Sequence, residues 1–143
     1  MTPKFNPDDY PEIKEIRDRL LDGQSSDVVA LLIPSKTRRN KDLGEDAQQM
    51  WAGQALDLFG DLYTGATAFQ HMKGIYKPRD GSKPMFDDPI MVQALAKRAD
   101  VEDAGHLDRL ALFIRNMGEQ TDQHTVGLII NNWFIEVGIG GKP

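Results

Sequence analysis

The residues best equipped for chemistry in this chain are few and far apart. His124 stands in the segment Gly118–Thr125 beside Glu119, and Asp87 lies upstream in Phe86-Asp87-Asp88-Pro89. A histidine oriented by a carboxylate is the smallest unit of general acid–base catalysis, so His124 with Glu119 or Asp87 forms the candidate catalytic set. A second cluster, Lys36, Arg38, Arg39 and Lys41 within Ser35–Gly44, has the charge to stabilise an anion. A helix is expected directly after it, and the free N–H groups and dipole of a helix start favour negative charge. The stretch is not a P-loop, because its glycines and Gly-Lys-Ser/Thr ending are missing. Arg79 and Gln123 complete the ligand-binding set. His71 falls inside a strand pattern, which favours a packed or hydrogen-bonded role. His124, Asp87 and Glu119 suit a metal by ligand type alone, and no tight ligand spacing supports one, so neither metal nor cofactor is expected. The competing reading of all these residues is a solvated rim, since connections between elements are polar in any fold.

Composition narrows the function classes. The net charge of −5 argues against a general nucleic-acid binder, which needs a net basic face to attract phosphate. The absence of cysteine excludes disulfides, thiolate zinc sites and thiol catalysis, and suits a reducing compartment. The first residues, MTPKFNPDDYPEIKE, are charged where a signal peptide is apolar. No apolar run reaches the about 18 residues of a membrane span. The expectation is a soluble, cytoplasmic protein with no nucleic-acid or membrane partner. At 143 residues the chain is long enough for one domain with a proper core.

The elements that must hold these residues can be read from periodicity. Residues 1–24 form an arm and an accessory helix, with Asp8 or Asp9 capping and Ile13, Ile16 and Leu20 as the stripe. The main domain covers 25–138, and 139–143 is a fraying tail. Val28–Ile33 is a short, β-branched run closed by Pro34, and is expected as a buried central strand. Asp46–Tyr63 carries a helical stripe through Ala47, Met50, Trp51, Ala55, Leu58 and Leu62. Ala66–Lys77 and Pro89–Lys97 read as two arms of a hairpin joined by a long tip starting at Pro78-Arg79-Asp80-Gly81. Asp103–Met117 is a second amphipathic helix ended by Gly118, and Thr125–Val137 is the last strand.

The order strand, helix, strand, strand, helix, strand is the split βαβ, ferredoxin-like arrangement. It is an α+β fold with a four-stranded antiparallel sheet and two helices on one face. Strand three then lies between strands one and two. The loop after strand one, the hairpin tip and the linker before strand four share one end of the sheet, where both candidate clusters fall. The uncovered face would expose Leu31 or Leu32, Met72, Met91, Ile129, Trp133 and Ile135, too large an apolar patch for a monomer. A homo-oligomer, most simply a dimer, is therefore expected, with Met72, Met91 and Trp133 at its interface; the N-terminal helix is an alternative cover for part of the face.

IPSKTRRNK, WAGQALDLFGDLYTGATAF, KGIYKPRDG with FDDP after it, and MGEQTDQHTVGLIIN resemble a group of small, uncharacterised bacterial proteins. That group's pattern is Gly-Ala-Thr-Ala-Phe, Asp-Glu-Pro and Met-Gly-Arg-Glu. The likeness runs from about Val28 to Val137. Here Gly118-Glu119-Gln120 stands for the group's Gly-Arg-Glu and Asp87-Asp88-Pro89 for its Asp-Glu-Pro. The resemblance implies a family and a fold, and no reaction. Two functions stay open: a homo-oligomeric binding or accessory domain recognising a small anionic molecule or a protein partner, and a small enzyme acting on an anionic substrate with His124 as general acid–base.

Overall fold

The burial pattern of Asp27–Ile33 shows how the chain builds its sheet. In this strand (β1) Val29, Leu31 and Ile33 are fully buried, while Val28 and Leu32, on the other face, are half-buried. The computed structural model describes residue 15 and residues 26–70 and 72–140. The expected helix after Pro11 and the strand-bound His71 lie outside the described residues.

Helix α1 (Glu45–Tyr63) follows β1, and its stripe Trp51, Ala55, Phe59 and Leu62 is buried in one core cluster with Val29, Leu31 and Ile33. Burying each large apolar side chain contributes about 1.5–3 kcal/mol, so this contact is a main stabiliser of the domain. The helix ends where Thr64 turns left-handed, with φ of 75° and its N–H donating to the Gly60 carbonyl at 3.0 Å. Next come β2 (Thr67–Phe69), β3 (Gly74–Tyr76), β4 (Met85–Asp87) and β5 (Ile90–Ala96). A five-residue helix, α2 (Arg98–Glu102), leads into α3 (Ala104–Gln120). At the start of α3 the Asp103 carboxylate accepts the His106 N–H at 2.9 Å, the usual role of an acidic N-cap. The chain closes with β6 (Thr125–Ile130) and β7 (Trp133–Gly138).

The protein is a mixed α+β fold. Its main sheet has five strands in the order β2-β5-β1-β6-β7, every neighbouring pair antiparallel, and β3 and β4 form a separate two-stranded ribbon. β5 lies between β1 and β2, the position expected for the third strand.

Three expectations need correction. The arm Ala66–Lys77 is not one strand: its ends belong to different sheets, which explains why neither of its faces is cleanly polar. The run Thr125–Val137 is a hairpin, reversed at Asn131, which takes the left-handed φ of 56° that a tight β-turn needs. The main sheet therefore has five strands rather than four. In addition, Ile139 is not the start of a fraying tail. It packs against the core over Gly118, and its N–H donates to the His124 carbonyl at 2.9 Å.

Directly opposed residues share a face in a sheet, so the register sorts the side chains. Leu32, Met91 and Phe69 lie side by side on the face away from the helices, joined there by Ala30, Ile129 and Phe134. Trp133 and Ile135 pair with Ile130 and Leu128, whose side chains belong to the helix-side core. Both residues thus stand on the helix side at the sheet edge, not on the open face where they were expected.

One polar clasp closes the end of the sheet remote from the candidate site. Asp27, only 6% exposed, takes two hydrogen bonds from the Arg98 guanidinium, one at 2.9 Å and a shorter one from Nε. It takes a third from the Asn131 amide at 3.2 Å, and the Asn131 Oδ1 in turn accepts the Val28 N–H at 2.8 Å. The start of β1, the short helix α2 and the β6–β7 turn are tied together by one carboxylate.

Candidate functional site

Pro34 ends β1, because it has no N–H for the ladder, and Ser35 is the first residue beyond it. The Asp87 carboxylate, at the end of β4, accepts both the Ser35 N–H at 2.9 Å and, in a shorter bond, the Ser35 hydroxyl. That hydroxyl oxygen also accepts the Asp88 N–H at 2.9 Å. Gln48, in the first turns of α1, donates to the Asp88 carbonyl at 2.9 Å and to the Ile33 carbonyl at 3.3 Å. The base of the ribbon is therefore stitched to the end of β1 by a serine, an aspartate and a glutamine.

Gln123 holds the third loop to the same place. Its amide donates to the Lys36 carbonyl at 2.7 Å and to the Thr121 carbonyl at 2.9 Å. Arg38 pairs with Asp122 at 3.0 Å, and its N–H donates to the Asp122 carbonyl at 2.8 Å. The loop after β1 meets the linker before β6 through Gln123 and Arg38, and meets the hairpin connection at its base, through Asp87 and Asp88; the hairpin tip, which was expected there too, makes no such hydrogen bond among the described residues.

Asp87 and Gln123 help wall a cleft of about 130 Å³, lined also by Leu32, Pro34, Thr125, Val126, Gly127 and Phe134. Gly127 is what makes room for its aromatic wall. A Cβ on that residue would lie 2.9 Å from Phe134 Cε1 and 3.1 Å from Leu32 Cδ1, closer than packed carbons tolerate. The lining combines one carboxylate, one amide, one hydroxyl and an apolar strip of Leu32, Pro34 and Phe134, and it contains no cation.

The basic loop does not form an anion nest. The N–H groups of Thr37, Arg38, Arg39, Asn40 and Lys41 all donate to acceptors within the protein, four of them to Thr37 or Lys41 and the other to Asp122. The start of α1 has no side-chain cap, but Glu45 and Asp46 already place negative charge in its first turn. An anion there would meet carboxylates where the sequence promised free N–H groups. Lys36 and Arg39 make no side-chain ion pair among the described residues, and Arg79 stands exposed on the ribbon tip.

No hydrogen bond or ion pair among the described residues joins His124, Glu119 and Asp87. Asp87 is engaged by Ser35. His124 is exposed, and its ring makes no hydrogen bond or ion pair among the described residues. Glu119 lies on α3, beside Arg115 and Asn116 in a broad groove of about 570 Å³ that is separate from the cleft. No group of three or more His, Asp or Glu among the described residues is arranged to hold a metal ion. Of the interface candidates, Met91 is on the open face, Met72 is half-buried between β2 and β3, and Trp133 is on the helix side.

Sequence reasoning missed Ser35, Leu32, Gly127 and Phe134 as site residues. A glycine inside a strand pattern, as at Gly127, marks close approach of another group and was the available signal. A serine directly after a strand-ending proline was the other.

No protein-family model matches this chain, and no curated protein matches it. Among solved structures it is similar to a phage SAM lyase determined in complex with S-methyl-5'-thioadenosine, with a TM-score of 0.58 and 7% identity. The match covers 85% of this chain and 95% of that one. At that identity the likeness is one of fold.

Proposed function

We propose that this protein is a small-ligand-binding domain whose ligand sits at the strand-end cleft with a neutral or cationic polar group toward Asp87. The observation that carries the reading is the composition of the cleft wall. Asp87 is fixed by Ser35 so that its second oxygen remains as an acceptor, Gln123 is fixed by two backbone carbonyls, and Leu32 and Phe134 supply an apolar strip. A few converging polar groups beside an apolar wall are the usual make-up of a small-molecule site. With a carboxylate in the wall and no cation, the cleft favours a hydrogen-bond donor over the anion expected from the basic loop.

The strand order β2-β5-β1-β6 supports the ferredoxin-like, split βαβ reading of the core, with β7 added at one edge. A fold of similar outline in a phage SAM lyase holds S-methyl-5'-thioadenosine, an uncharged nucleoside thioether. Such a molecule has an aromatic base for Phe134 and ribose hydroxyls for Asp87, which makes it the first probe for this cleft.

The test is a thermal-shift and calorimetric titration with S-methyl-5'-thioadenosine, adenosine and inorganic phosphate. A ligand at about 100 times its Kd stabilises the native state by about 2.7 kcal/mol, which a melting curve resolves. The expected result is a shift with the nucleosides that is lost in Phe134→Ala and Asp87→Asn. A shift with phosphate alone, retained in both variants, would overturn the reading in favour of the basic loop.

A further inference from the structure

We propose that the β3–β4 ribbon is an association arm that docks on the open sheet face of a second copy of this chain and closes that copy's cleft. The ribbon is a poor structure for an isolated molecule. Its two cross-strand pairs, Ile75 with Phe86 and Tyr76 with Met85, lie on opposite faces, so both faces carry large apolar side chains. Their exposures are 54% and 60% in the first pair and 61% and 37% in the second. A lone two-stranded hairpin is marginal in water and needs a hydrophobic face packed against something to persist. Among the described residues the hydrogen bonds that hold the ribbon to the protomer are at its base, from Asp87 and Asp88 to Ser35 and Gln48, and a Lys73–Asp88 ion pair of 2.9 Å joins its two arms there.

Charge identifies the occupant. Between residues 77 and 84 the tip has three cations, Lys77, Arg79 and Lys83, against Asp80, a net of +2. The whole chain is −5, so the remainder stands at −7. A basic, apolar-faced arm is complementary to the acidic body of its own kind. That body offers the matching surface: Leu95 at 62% and Phe134 at 58% exposure, with Met91 on the same strand as Leu95 and Leu32 on β1 between β5 and β7. The cleft opens on the same face, and its about 130 Å³ is less than half of the roughly 300 Å³ at which small-molecule pockets begin. An arm laid across Phe134 adds the missing wall. Apolar contact then supplies the affinity and the tip charges set the orientation, so the association weakens as salt screens them.

The experiment is sedimentation of the unliganded full chain at low and high micromolar concentration, in low and high salt, for wild type and two variants. The variants are Ile75→Thr with Phe86→Thr, and Lys77→Glu with Lys83→Glu. Wild type is expected to associate and the first variant to be monomeric at the same concentration, with a melting point close to wild type because the altered residues are exposed. The charge variant is expected to dissociate more readily, with its salt dependence reduced. A wild type that stays monomeric at high concentration overturns the proposal, whether the arm serves another partner or none. Unchanged mass in the first variant also overturns it. Because the chain has no cysteine, Met85→Cys bearing a photo-crosslinker gives an independent readout. A dimer whose partner peptide comes from β5 or β7 supports the arm, and crosslinks confined to one chain refute it. No ligand is present in these measurements, so failure here and failure of the cleft reading are separable.

Discussion

Replacing Asp27 with asparagine keeps the side-chain shape and removes the charge on which three elements converge. In the wild type the carboxylate accepts two bonds from Arg98 and one from Asn131, and it is 6% exposed. In Asp27→Asn an amide NH₂ must face either the guanidinium or the Asn131 amide, both donors. Breaking a fully buried pair costs about 3–5 kcal/mol. Here the Arg98 side chain is 33% exposed and also lies 3.9 Å from Glu102, so water and that carboxylate still compensate the cation and the penalty shrinks to about 2–3 kcal/mol. In a urea titration at neutral pH the midpoint should fall by roughly 0.7–3 M for an m-value of about 1–3 kcal/mol/M. The melting point should drop by about 5–10 °C.

The pH dependence gives the prediction a second arm. The Asp27 carboxyl lies below its usual value of 3.8, chiefly because of the Arg98 hydrogen bonds, helped by Asn131 and by the Arg98 charge and opposed by burial. The unfolded state therefore takes up the proton first as pH falls. The stabilisation is fully present well above 3.8 and is lost as pH drops through the lowered folded value. The gap between wild type and Asp27→Asn should accordingly be constant from neutral pH to about pH 5 and narrow below about pH 4. A variant within about 0.5 kcal/mol of wild type at neutral pH, the range of an inconsequential surface change, would refute the reasoning. So would a gap that does not narrow in acid.

Gly118→Ala, which elsewhere in a helix is mildly stabilising, should lower stability by about 1–3 kcal/mol. Its Cβ would lie 2.4 Å and 2.5 Å from two carbons of the β-branched Ile139. The double variant with Ile139→Ala should melt no lower than Ile139→Ala alone, and additive losses would count against the clash. Ser35→Ala removes the hydroxyl that bridges Asp87 and the Asp88 N–H, so hydrogen exchange at Asp87 and Asp88 should speed up while the core strand β1 stays protected. Equal protection in both proteins would show that the bridge does not hold the ribbon base. The Tyr63 phenol is pushed up to about 12, mainly by burial and secondarily by the Asp100 charge. Ultraviolet titration should show a late tyrosinate step that is absent in Tyr63→Phe. With the folded value raised, the unfolded chain loses this proton first, so the residue's contribution to stability declines above about pH 10. Identical titrations of the two proteins would contradict that assignment.

The elements that bury one face were written in the sequence. Val28–Ile33, the stripe from Ala47 to Leu62 and the stripe from Leu107 to Met117 carry their periods in residues a few positions apart, and the structure forms β1, α1 and α3 there, with Met50 and Leu107 left exposed. Element order brought the loop after β1 to the linker before β6 and to the base of the ribbon, through Gln123, Arg38 and the Ser35–Asp87 pair, but not to the ribbon tip. What depended on pairing over long separations was not legible. Whether Thr67–Phe69 and Gly74–Tyr76 belong to one strand is decided by partners β5 and β4, not by the residues between them. The face to which Trp133 points depends on where the chain reverses, since moving a register by one residue exchanges the faces. The Asn131-Asn132 pair was a local turn signal within an otherwise strand-like run.

The candidate site divides the same way. Sequence alone marked His124, Glu119 and the basic loop, because residue type and proximity along the chain are all that a one-dimensional reading can weigh. Only the tertiary structure sent Glu119 to a different groove from Asp87, spent the basic loop's N–H groups on its own oxygens and on the Asp122 carbonyl, and brought Ser35 to Asp87 across more than fifty residues. Side chains act through distances of a few ångströms, and for residues so far apart in the chain those distances are set by the packing of the core beneath them.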